Sequence, residues 1–63
     1  MLNHKDIEFY TIQEVADMLK VAYLTVYRWI KAGKIEAIRI EKQYRISKEA
    51  LDKFIKSKSN NGY

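Results

Sequence analysis

With 63 residues the chain is expected to form a single domain with a small core, because a unit of this size buries only about 60% of the surface its unfolded chain exposes. It has no cysteine, which excludes disulfides and thiolate metal sites and points to a reducing, cytoplasmic setting; no apolar run approaches the ~20 residues of a membrane helix, and the opening MLNHKDIEFY carries acids where a secretory signal would be apolar. The formal charge of +4 is unevenly spread: residues 1–20 hold two basic and four acidic side chains, residues 21–63 hold ten and four, so the positive field lies after Lys20 and suits a polyanionic partner.

Residues 1–9 are expected to be a mobile arm. Thr11 and Glu14 match the capping box T-x-x-E, so a first helix should start at Ile12, with Tyr10 and Val15 in the positions of a hydrophobic staple. Ile12, Val15, Ala16 and Leu19 then follow the spacing of one buried face, which predicts a helix over about 12–19. Lys20, Val21 and Ala22 interrupt that pattern. A second apolar face, drawn from Leu24, Val26, Trp29 and Ile30, runs until Gly33, whose position after Lys31 and Ala32 suits a left-handed helix stop; this predicts a helix over about 23–32.

From Ile35 the period changes to two. Ile38 and Ile40 alternate with Arg39, and Tyr44-Arg45-Ile46 repeats the alternation after a tip at Glu41-Lys42-Gln43, which predicts an antiparallel hairpin with both arginines outward, side by side. Ser47 is a good N-cap, Glu49 suits the positive end of a helix, and Leu51, Phe54 and Ile55 mark the buried face of a third helix. The domain should span residues 10–56, followed by a frayed tail at 57–63.

Catalysis finds no support in these residues. His4 stands alone in the arm, and there is no cysteine nucleophile, no glycine-rich phosphate loop and no gathered pair of acids, so neither an enzyme, a cofactor site nor a set of three or four metal ligands is expected.

Two short helices joined by a three-residue turn and followed by a hairpin make a helix-turn-helix with a wing, an α+β fold. The run T-I-x-E-V-A-D-M-L-K-V-A-x-x-T-V-Y-R-W-I-K-A-G-K-I, then A-I-R-I, then Y-R-I-S-K-E-A-L-D-K-F-I, resembles the small excisionase-type helix-turn-helix proteins, a branch of the MerR-like winged-helix DNA-binding domains. That resemblance covers residues 10–56 and implies that the second helix enters the major groove of double-stranded DNA while the wing approaches a neighbouring minor groove or its phosphates. Two departures stand out. Ala22 occupies the place of a capping serine, and the hairpin tip lacks the usual glycine and carries an acid.

The geometry of the second helix is compatible with that role: with Val26 and Ile30 inward, Thr25 and Arg28 fall on the opposite side, and Tyr23 and Tyr27 follow one another on an exposed flank. Arg28 has the planar fork that matches guanine O6 and N7 or a phosphate; Thr25, Tyr23 and Tyr27 offer hydroxyls to phosphate; Lys31 is a phosphate contact; Lys42, Gln43 and Arg45 are the wing contacts. Each has a plainer reading. Arg28 and Lys31 also fit a solvated face, Tyr27 a cover for the hairpin, Trp29 a core bridge from helix 2 to the wing, and Arg39 a surface pair with Glu36 or Glu41.

The expected role is a DNA-binding protein without catalysis: an excisionase-like factor assisting a site-specific recombinase or integrase, with further copies of itself on DNA. The absence of a long dimerisation helix and effector pocket favours that over a stand-alone transcriptional regulator. A protein-binding module such as an antitoxin or anti-regulator, docking through Tyr23 and Tyr27, is the alternative from another class. No small-molecule ligand or membrane partner is expected.

Overall fold

The computed structural model describes residues 8–59. Its elements follow in the order β1 (Phe9–Tyr10), α1 (Ile12–Leu19), α2 (Tyr23–Lys31), β2 (Ile38–Ile40), β3 (Gln43–Ser47) and α3 (Lys48–Ser59). Both ends of α1 are closed by hydrogen bonds that the flanking residues dictate. The Glu14 amide donates to Thr11 Oγ1 (3.0 Å) and the Thr11 amide to the Glu14 carboxylate (2.8 Å), so the capping box forms in full. At the other end Lys20 takes the left-handed conformation (φ 60°), and the Val21 amide reaches back to the Ala16 carbonyl (3.0 Å).

Helix α2 ends in the same way, here on glycine. Gly33 has φ +78°, its amide donates to the Ile30 carbonyl (3.0 Å), and the Lys34 amide donates to Trp29 (2.9 Å), which satisfies carbonyls that a helix end leaves free. At its start Ala22 offers no side-chain acceptor. The two turns leave three residues between the helices, a spacing that packs α1 against α2.

The strands form one antiparallel sheet in the order β1-β3-β2. Phe9 lies opposite Ser47 and Tyr10 opposite Ile46, so the expected arm of residues 1–9 contributes Phe9 to the sheet, while residues 1–7 lie outside the described part of the chain. A two-residue strand carries no readable period, and the neighbouring capping box draws attention to the helix instead. The hairpin pairs Ile38 with Arg45, Arg39 with Tyr44 and Ile40 with Gln43.

Ser47 caps α3 by accepting from the Ala50 amide (3.0 Å). The helix continues through Ser59, three residues into the stretch expected as tail, with Lys56 and Lys58 near its negative end and the Ser57 hydroxyl bonded to the Phe54 carbonyl (2.8 Å). The remaining tail residues, 60–63, are outside the described segment.

The core is assembled from every longer element: Ile12, Val15 and Ala16 from α1, Val26 from α2, Ile35 from the connection, Ile46 from β3, and Ala50, Leu51 and Phe54 from α3. No buried polar side chain interrupts it among the described residues. Trp29 packs on Phe54 with ring centroids 4.7 Å apart, so its bridge runs from α2 to α3 and not, as the sequence suggested, to the wing. Leu24 also departs from expectation. Counted into the apolar face of α2 on sequence, it is 50% exposed, because the core fills with Val26, Ile30 and Trp29 and leaves Leu24 on the outer side.

Candidate nucleic-acid interface

Tyr23, Tyr27 and Lys31 are spaced by four residues along α2 and therefore form one stripe on its surface. The wing stands across from that stripe, and the space between them is an open cleft of about 500 Å³. Tyr23, Tyr27 and Lys31 line one wall; Arg39, Lys42, Gln43, Tyr44 and Arg45 line the other, and Thr11, Ile12 and Gln13 add the start of α1. Three cationic side chains, Lys31, Arg39 and Lys42, and three tyrosines thus face one cleft, which the strand carrying Arg45 borders, and no carboxylate lines it. A concave surface of one sign concentrates counter-charge, so this cleft suits an anionic ligand.

A ring contact joins the two walls, and a cation lies over each of its rings. The Tyr27 and Tyr44 rings meet edge to face with centroids 6.2 Å apart and an interplanar angle of 66°. Arg39 lies over the Tyr44 ring at 5.5 Å and Lys31 over the Tyr27 ring at 6.0 Å, which makes an unbroken series from wing to helix: cation, ring, ring, cation. At exposed sites each such cation contact contributes ~0.5–1 kcal/mol. Tyr27 is accordingly both a cover for the hairpin and a wall of the cleft.

The two wing arginines do not lie side by side. The tip has two residues, Glu41 (φ 50°) and Lys42 (φ 70°), not three, and the resulting register places Arg39 on the face of Tyr44 and Arg45 on the opposite face with Ile38. A one-residue slip in pairing exchanges the faces of a strand, which is what separates the expected from the observed arrangement. Arg39 turns toward α2 by this route, and its pairing with Glu36 or Glu41 does not occur: among the described residues the one ion pair is Lys48–Asp52, at 3.4 Å on the surface of α3.

Of the eight residues singled out on sequence, Tyr23, Tyr27, Lys31 and Lys42 come together in the cleft, and Gln43 and Arg45 border it from a strand whose register turns their side chains to the other face of the hairpin. Arg28 is outside it, exposed on the outer side of α2, and Thr25 is half-buried on the flank shared with Trp29. Sequence reasoning missed Arg39, Tyr44, Thr11 and Gln13. For Arg39 and Tyr44 the missing signal was the turn length; Gln13 is an ordinary exposed helix residue in sequence terms, and its amide bonds Asp17 at 3.0 Å.

A model of the helix-turn-helix domain matches residues 9–59, most of the chain. The chain belongs to the helix-turn-helix domain family. The chain is 49% identical over 45 residues to the uncharacterised protein YvgK of Bacillus subtilis, a match covering 71% of the chain and 15% of YvgK. It is 34% identical over 41 residues to a Mycobacterium tuberculosis protein named as a candidate DNA-binding protein, covering 65% of the chain and 53% of that protein; the same match occurs in two strains. The helix-turn-helix domain therefore spans about half the length of the mycobacterial relative and a small part of YvgK. No solved structure matches the chain.

Proposed function

We propose that this helix-turn-helix domain binds double-stranded DNA without catalysing a reaction on it, with α2 in the major groove and a strand of the sugar-phosphate backbone running through the cleft between α2 and the wing. The observation that carries this reading is the cleft itself, with Lys31, Arg39 and Lys42 on its walls, tyrosines between them and no acid. Phosphate is the ligand such a surface favours, and contacts of this kind fix the register of a protein on the duplex. Arg28, beside the cleft on the outer side of α2, is then the side chain placed to reach a base edge. The name given to the mycobacterial relative supports the same reading.

Within that reading the role is architectural, in the manner of the excisionase-type proteins that the sequence resembles: the domain shapes a site for a recombinase. A regulator of transcription is the competing role. Titration of a duplex with the chain at several salt concentrations tests the binding itself. Neutralising the roughly three phosphates within reach of the cleft cations should give a slope of log K on log salt of about −2.7, at about −0.9 per phosphate. A slope near zero would refute DNA binding by this surface and return the protein-docking alternative.

A further inference from the structure

Every apolar side chain of α2 but one has a structural purpose. Val26 is in the core, Tyr27, Trp29 and Ile30 pack against it, and Tyr23 lines the cleft. Leu24 does neither and is 50% exposed. It is the second residue of α2, at the end of a recognition helix that meets base edges, and it lies one turn before Arg28 on the same outer side.

We propose that Leu24 reads the 5-methyl group of a thymine in the major groove, and so sets sequence preference together with Arg28. This rests on the DNA-binding reading above. The thymine methyl is the one apolar feature that the major groove displays, and an apolar side chain is its complement. Asparagine, glutamine or arginine at this position would seek a donor or acceptor; leucine offers none. A polar duplex surface would otherwise give no return for dehydrating it. One helical turn advances about 5.4 Å and base pairs about 3.4 Å, so the thymine read by Leu24 should lie within one or two base pairs of the guanine read by Arg28.

The test begins with duplexes selected from a random library by the full chain. Each thymine of the selected site is then replaced in turn by deoxyuridine, which removes only the methyl group. The wild-type chain should lose about fourfold in affinity at one position, the effect of one buried methyl-sized group, and Leu24→Ala should bind the thymine and uracil duplexes equally. Leu24 is exposed, so the variant keeps its fold, and an unchanged thermal midpoint verifies this. Wild-type indifference to uracil at every position, or the same uracil penalty in Leu24→Ala, overturns the assignment while a steep salt slope leaves DNA binding standing. A flat salt slope overturns DNA binding itself and the assignment with it.

Discussion

Arg28 and Lys31 lie one turn apart on α2, yet the structure gives them different surroundings: Lys31 faces the cleft over the Tyr27 ring, whereas Arg28 stands free of it on the outer side. Their replacements should therefore differ in kind. Arg28→Ala is expected to lower affinity and relax preference at one base pair, with a loss of about 1–3 kcal/mol for the matched base. Lys31→Ala should weaken all sequences alike and flatten the salt slope by about one unit. Competition binding with single-base variants of a selected site separates the two, and identical behaviour would make Arg28 a phosphate contact as well. Arg39 belongs with Lys31 on this view, because its guanidinium is held over Tyr44 and turned into the cleft. Sequence alone placed Arg28 and Lys31 on the exposed part of α2 because helical period is robust over nine residues. It could not distinguish their neighbours, since the wing that creates the cleft is remote in sequence.

At the scale of elements, legibility followed the strength of the local signals. Helix α1 starts and stops where Thr11, Glu14 and the break after Leu19 say it must, and α2 stops at Gly33, because each boundary is written in hydrogen bonds between near neighbours. The hairpin was readable as a hairpin but not in register. Two central residues at positive φ normally advertise themselves as Asn-Gly, and Glu41-Lys42 gives no such notice. Both residues hold a conformation that suits neither, so replacing the pair by Asn-Gly is expected to stabilise the fold by about 1–2 kcal/mol. The same change removes Lys42 from the cleft and should reduce DNA affinity, an opposition that thermal unfolding and binding measured on one variant would expose. The start of α2 offers a separate gain. Ala22 makes no side-chain cap bond, and Ala22→Ser is expected to add about 0.5–2 kcal/mol of stability with affinity retained, since the new hydroxyl serves amides of the first turn and lies off the outer face of the helix. An unchanged thermal midpoint would mean that those amides gain nothing from a side-chain acceptor at position 22.

On the scale of the whole molecule, the nine-residue core fixes the angle between α2 and the wing from below, while the Arg39–Tyr44–Tyr27–Lys31 series fixes it from the side of the cleft. If DNA is bound as proposed, the two walls meet it as one unit, and a unit that grips backbone at the wing and bases at α2 imposes its own shape on the duplex. Single modules of this kind bury roughly 600–1,000 Å² on DNA, about one half-site, so deformation has to be supported by contacts in adjacent grooves or by neighbouring copies. Bending a site of 20–30 base pairs by 40–90° costs of order 1–6 kcal/mol, a sum that one half-site can match only if both walls engage. From this follows the last expectation. On a selected site, a phased-bend gel assay should show a bend that survives Lys31→Ala in direction but is reduced in Arg39→Ala, because removing Arg39 takes a cation from the wing wall of the cleft while leaving α2 in its groove. A bend reduced by loss of the wing cation would favour the architectural role beside a recombinase. Straight DNA at saturation, with the salt slope still steep, would make the domain a reader of sequence that leaves the duplex as it finds it, and the regulatory role would replace the architectural one.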